Sequence, residues 1–176
     1  MKTLNKIAIL VISIFTFGLS HADEKKGFYV SAEAGSTKMK APTTTTISVT
    51  SNSYNFGVGY EADSLSGEFT YGSGFNLSST YGSSTSTFEL SNWTVVFNYK
   101  ILNTGNFKPF VGIGRYGGTV TTTSGTGGDY SRNMWNVGVE IPLDSTTSLR
   151  GKYIKTFDVT GYTGFTNYSF GLMYRF

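Results

Sequence analysis

The chain contains no cysteine, a single histidine and only 3 prolines among 176 residues. Without cysteine there is no disulfide staple, no thiolate nucleophile and no sulfur-built metal site. The lone His21 lies in an amino-terminal stretch that reads as a processing signal. Lys2 and Lys6 precede a short apolar run from Ile7 to Leu19, and Leu19-Ser-His-Ala22 places small residues at the cleavage positions. About thirteen apolar residues fall short of the roughly twenty that a membrane-spanning helix needs. Residues 1–22 are therefore expected to be removed after Ala22, leaving 23–176 as one domain without His or Cys, which excludes His-dependent triads and His-built zinc sites. Loss of Lys2 and Lys6 leaves 12 of the 14 basic residues against 11 acidic ones, so the net charge drops from +3 to +1. That balance gives no basic patch for nucleic acid. No later stretch approaches twenty apolar residues, so any membrane crossing falls to strands.

What the chain does have is 22 glycines, 14 phenylalanines and 12 tyrosines, a composition suited to strands and tight turns. Period-two alternation predicts eight strands, near residues 27–36, 53–62, 65–73, 88–101, 107–119, 130–143, 147–157 and 166–176. Long connections at 37–52, 74–87, 120–129 and 158–165 alternate with short turns at Asp63, at Thr104-Gly105 and at Asp144-Ser-Thr. This rhythm predicts an all-β, up-and-down antiparallel eight-stranded transmembrane β-barrel. The apolar face, including Phe56, Phe69, Trp93, Phe97, Trp135 and Val137, is expected to meet lipid.

The opposite face carries Glu33, Glu61, Glu68, Lys100, Glu140, Arg150, Lys152 and Arg175. The lumen of an eight-stranded barrel is only wide enough for side chains to fill it, and unpaired charges there cost several kcal/mol. Four acids and four bases therefore predict a salt-bridged plug. Glu140 is expected to pair across a short turn with Arg150 and Lys152, and Glu33 with Arg175 where the barrel closes. Glu61 and Glu68 need partners from elsewhere. Gly57, Gly59, Gly112, Gly114, Gly138 and Gly171 share this face and are expected to make room for long charged neighbours.

Gly112-Ile-Gly-Arg-Tyr-Gly117 matches the dinucleotide fingerprint literally, but strand and loop residues follow where that motif requires a helix, so no nucleotide is expected. The Ser/Thr-rich tracts at 43–46, 78–87 and 121–128 predict solvated loops. Tyr81, Tyr130, Tyr162 and Phe165 stand among them as candidate contacts for a host or surface ligand. Arg115, Lys155, Lys38 and Lys40 fall near strand ends, where cations can meet lipid phosphates.

Gly27-Phe-Tyr-Val-Ser-Ala-Glu-Ala-Gly35, Lys108-Pro-Phe-Val-Gly-Ile-Gly114 and the closing Tyr174-Arg-Phe176, set in that alternating pattern, resemble the small outer-membrane barrel superfamily of the OmpA transmembrane domain, OmpX and opacity-protein type. The resemblance implies the bacterial outer membrane as location, with both termini periplasmic. It also implies that Tyr174 and Phe176 form a signal read by the barrel-assembly machinery, and that the surroundings are outer-membrane lipid and lipopolysaccharide. Lipid A-modifying barrels of this size use His, so no enzyme, cofactor or metal is expected. No peptidoglycan-binding domain is expected after the last strand, and closed edges favour a monomer. The predicted role is a surface-interaction scaffold, an adhesin or surface antigen. The alternatives are a narrow porin or an OmpW-like conduit for small hydrophobic molecules, and, third, a periplasmic lipocalin-like barrel.

Overall fold

A computed structural model describes residues 26–40, 48–81, 84–102, 106–122, 127–157 and 164–176. The predicted signal segment, and with it cleavage after Ala22, lies outside them. The described chain is built from eight strands: β1 (Gly27–Lys40), β2 (Ser48–Ala62), β3 (Leu65–Tyr81), β4 (Ser84–Lys100), β5 (Lys108–Thr122), β6 (Gly127–Pro142), β7 (Thr147–Thr156) and β8 (Gly164–Arg175). Each pairs antiparallel with its sequence neighbours, and β8 pairs with β1, closing the barrel.

Pairing registers fix the barrel's shape. A row of paired residues leaves β1 at Phe28 and passes through Tyr60, Gly67, Phe97, Ile113, Trp135, Lys155 and Thr166. It returns to β1 at Lys38, so one circuit climbs from position 28 to position 38, a stagger of 10 residues. With strands about 4.8 Å apart and a rise of about 3.3 Å per residue, that stagger tilts them by roughly 40°.

Among the described residues, two short turns join strands at the end that carries the terminus, which we call basal; the turn expected at Thr104-Gly105 lies outside them. Asp63 takes a positive φ of 54° in one of them, a left-handed conformation that Asp tolerates better than most residues. In the other, the Asp144 carboxylate accepts hydrogen bonds from the Thr146 and Thr147 amides at 2.7 and 2.8 Å and from the Thr146 hydroxyl at 2.9 Å. These amides hold its carboxyl at about 2, below its ordinary 3.8.

At the distal end the strands run further than the sequence suggested. The expected loop at 74–87 is mostly strand, since β3 reaches Tyr81 and β4 starts at Ser84. Backbone pairing continues through Ser78↔Thr87 and Tyr81↔Ser84. Polar Ser/Thr tracts look like loops by composition, yet Thr fits a pleated strand well and a hairpin in water needs no apolar face when its base is anchored in a barrel. A register shift between Gly72 and Phe75 marks where the hairpin leaves the regular wall. β7, by contrast, has only 10 residues.

Outward residues are large and apolar. Phe56 (69% exposed), Phe97 (68%) and Ile113 (67%) stand fully proud of the wall. Trp135, Tyr153 and Tyr168 form a continuous aromatic stripe, with ring centroids 5.3 and 4.9 Å apart.

Candidate functional site in the barrel lumen

All eight predicted lumen charges point inward. Seven are buried, and Arg175, near the basal opening, is partly exposed. They sort into two sets, each of two acids and two bases. In the basal set, Lys100 lies 2.5 Å from Glu61 and 3.0 Å from Glu140, while Arg175 contacts both Glu61, at 3.3 Å, and Glu140. Each base touches both acids, so the four groups close a ring. Ser148 donates to Glu140 at 3.2 Å and accepts from Arg175 at 2.9 Å.

The second set is a chain. Arg150 pairs with Glu68, Glu68 with Lys152 at 2.8 Å, and Lys152 with Glu33 at 2.9 Å. Tyr29 donates its hydroxyl to Glu68 at 3.0 Å, and Ser169 donates to Glu33 at 2.7 Å. The Arg150 guanidinium also sits 4.9 Å from the Phe110 ring centroid and 5.8 Å from that of Tyr29, positions in which an aromatic face attracts a cation.

Two expected pairings are corrected. Glu140 and Arg150 are direct cross-strand partners in register, yet they do not pair; Glu140 turns to Lys100 and Arg175, and Arg150 reaches Glu68. Likewise Glu33 bonds Lys152 rather than Arg175. The reason is geometric: in so narrow a barrel, long inward side chains converge on the axis and meet across it, not along the wall. Glu61 and Glu68 find partners on distant strands, as their proximity to each other required. The glycine expectation also changes. A Cβ on Gly59 would strike the Tyr29 ring at 2.3 Å, one on Gly138 the Phe110 ring at 2.3 Å, and one on Gly112 both Asn136 and Asn98 Oδ1. These glycines seat rings and amides, and the rings in turn bracket Arg150. Gly112 thus belongs to an inward-facing packing position in β5, and Asn136 donates across it to Asn98 at 2.9 Å.

Above the charges lies a belt of neutral polar groups. Thr70 and Thr94 hydroxyls are 2.6 Å apart, and the Asn167 amide donates to Thr37 at 2.7 Å and Ser53 at 2.9 Å.

The distal lumen is apolar, which the sequence reading missed. Leu90, Val96, Tyr116, Met134, Ile154 and Phe165 pack as one cluster, none more than 6% exposed, with Met39, Val120 and Tyr130 against it. Phe165 and Tyr130 stack at 4.3 Å, and Tyr116 lies 5.3 Å from Phe165. Phe165 and Tyr130 were expected as exposed ligand contacts; instead both rings belong to this interior cluster, because Gly127–Pro142 and Gly164–Arg175 are strands and the parity of each aims these rings inward. Phe165 is fixed further by its amide, which donates to the Thr156 hydroxyl at 2.9 Å. The signal was available: Tyr116, Met134 and Ile154 share the parity of Gly112, Glu140 and Arg150 on their own strands. The Tyr81 side chain and all of Tyr162 lie outside the described residues. At the basal rim, Tyr174 and Phe176 rings meet edge to face at 5.2 Å, and the Phe176 amide donates to the Phe28 carbonyl at 3.0 Å.

Comparison with known proteins agrees with this architecture. Neisserial surface protein A superposes with a TM-score of 0.68 at 18% identity, covering 87% of this chain and 100% of that one. Ail, the attachment invasion locus protein of Yersinia pestis, in its complex with the heparin analogue sucrose octasulfate, gives 0.56 at 11% identity over 85% and 99% of the two chains. The amino-terminal β-barrel domain of Pseudomonas aeruginosa OprF gives 0.56 at 15% identity over 86% and 100%. These likenesses are of fold. No curated protein matches the sequence. The outer membrane protein beta-barrel domain family matches residues 7–176, and with the closed eight-stranded barrel this makes the chain a member of that family.

Proposed function

We propose that the protein is a closed structural scaffold of the bacterial outer membrane, reached through a cleaved amino-terminal signal, that carries surface interaction at its distal rim. The observation behind this reading is the filled lumen. Two neutral ion-pair sets occupy the basal half, a hydrogen-bonded belt the middle and an aromatic cluster the distal half. Steady conduction would require a continuous wet path, and each storey opposes one. The residues in the lumen suit structure rather than acid–base chemistry, since each lumen carboxylate is matched by a cation, so no enzymatic activity is proposed. Tyr174 and Phe176 then serve as the assembly signal. Two barrels of the same fold carry surface or attachment names, which favours adhesion or antigen presentation as the class of interaction.

Single-channel recording of the refolded protein in a planar bilayer tests this, with Arg150→Ala and Arg175→Ala alongside. Silence from the wild type is expected. Steady wild-type current that changes on neutralising either arginine would replace the scaffold with a narrow porin.

A further inference from the structure

The outer wall carries a groove of about 590 Å³ at the distal end of β3–β6, lined by Tyr71, Ser91, Trp93, Thr119, Asp129 and Ser131. All six share the outward parity, since Leu90, Asn92, Tyr116 and Gly118 between them are buried. The groove exists for two reasons. Ser91 stands at the register shift between Gly72 and Phe75, where two residues of β3 oppose one of β4 and the strand departs from the wall. Beside it, Gly117 is the direct partner of Trp93, and a Cβ there would lie 2.5 and 2.7 Å from Trp93 Cζ2 and Cε2. The indole therefore lies over Gly117 as a floor, and Tyr71, the partner of Trp93 on β3, forms a side wall.

Polar groups rim the upper side. Asp129 is exposed and accepts from the Thr119 hydroxyl at 2.7 Å. Gly117 and Thr119 are two residues apart on β5, which holds the carboxylate and the indole roughly 7 Å apart along one strand. Glu89, exposed on β4 two residues above Ser91, adds a second acid to the same face. Among the described residues that line the groove none is basic; Arg115 lies two residues below Gly117, on the membrane side of the floor. At the tilt given above, each residue along a strand climbs about 2.5 Å and each step along a paired row toward β8 about 3 Å. Trp93 thus stands about 19 Å above Phe28, Ser131 about 26 Å and Asp129 about 31 Å, against an apolar band of about 25 Å. The aromatic floor meets the headgroup level and the acids stand in water.

We propose that this groove binds a quaternary ammonium group of the choline type presented above the membrane. The methylated cation rests on the Trp93 indole with Tyr71 beside it, positions in which aromatic faces attract a cation, and faces the Asp129 carboxylate. Its other end turns to the hydroxyls of Ser91 and Ser131. Charge complementarity selects this occupant: two acids over an aromatic floor repel sulfated and phosphorylated glycans, and a neutral sugar leaves the carboxylates without a counter-charge. A primary ammonium is strongly hydrated, whereas a methylated one gives up little water on an indole. The proposal supplies a ligand class for the surface role proposed above and rests on that reading only for its purpose. Because the groove lies outside the lumen, conduction decides the one and ligand titration the other.

Ligand-observed NMR of the refolded full barrel in maltoside detergent, titrated with choline, with phosphocholine and with the uncharged isostere dimethylbutanol, tests the assignment. Saturable broadening of the choline methyl signal is expected, with the isostere held about tenfold more weakly. Asp129→Asn and Trp93→Leu should each weaken choline by about the same factor, whereas Asp63→Asn, which removes a carboxylate at the basal end, should leave it unchanged. The heat-modifiable folded band checks each variant; should Trp93→Leu fail to fold, Asp129→Asn carries the test, its side chain being exposed. Phosphocholine held as well as choline assigns the site to a headgroup, and choline held alone assigns it to a free amine. Equal retention of the isostere, an affinity unchanged in Asp129→Asn, or no saturable binding of either choline compound would each overturn the proposal.

Discussion

The basal and distal halves of the lumen solve one problem by opposite chemistry. Both must fill a channel too narrow for bulk water and too wide for backbone alone. The basal half uses charges that neutralise within two sets of four; the distal half uses Leu90, Tyr116, Met134 and Phe165, which need no partner. The charged half is specific, because each carboxylate must meet particular cations, and it fails badly when one member is removed. The apolar half tolerates change in proportion to the volume lost. Buried ion pairs are weak evidence for stability as such, so the difference is best seen as one of fixed register at the base and simple occlusion at the top.

Removing an acid from the charged half should have the largest effect. Glu68→Ala strands Arg150 away from water without its carboxylate and takes an acceptor from Tyr29 and Lys152; breaking a buried pair this way costs about 3–5 kcal/mol. Urea unfolding in lipid, followed by tryptophan fluorescence, would measure it, and an unchanged midpoint would mean that water reaches this set. Phe165→Ala should lower the same midpoint by about 3 kcal/mol through cavity formation while leaving the bilayer silent, since the charged half still blocks the path. Only Arg150→Ala combined with Phe165→Ala should pass steady current. Current from Phe165→Ala alone would show that the base does not seal. Gly138→Ala should cost about 1–3 kcal/mol by overpacking against the Phe110 ring and the Gly151 carbonyl; a compensating Phe110→Leu should recover part of it. The smallest effect belongs to the exposed turn. The Asp144 carboxyl is depressed to about 2 in the fold from 3.8, so its contribution is complete above about 3.8 and is lost as pH falls through 2. Between pH 5 and 2, the wild-type midpoint should therefore fall more steeply than that of Asp144→Asn.

The contrast between the halves also explains what was legible in the sequence. Eight strands, their order, the short turns at Asp63 and Asp144 and the eight lumen charges follow from period-two alternation, because charge on the face opposite Phe and Trp has one reading in lipid. Pairing among those charges does not follow from alternation, which speaks of neighbours on the wall and not of side chains converging across an axis. The distal cluster was hidden by the rule that identified the wall: once apolar means outward, an inward Tyr130 or Phe165 looks like a stray aromatic in a polar loop. Anchoring each strand's parity on its charge, Glu140 on β6 or Arg150 on β7, would have turned Met134 and Ile154 inward. Strand length was obscured for a different reason, since Ser and Thr hydrate as readily in a projecting hairpin as in a loop.

β3 and β4 have 17 residues each and β7 has 10, so at one common tilt the rim is a ramp, rising roughly 15 Å or more from its low side to its high side. The β3–β4 hairpin stands highest on that rim, and its backbone is already hydrogen-bonded through Tyr81↔Ser84. A partner docking there orders little additional chain, so less binding free energy is lost to conformational entropy than at a free loop.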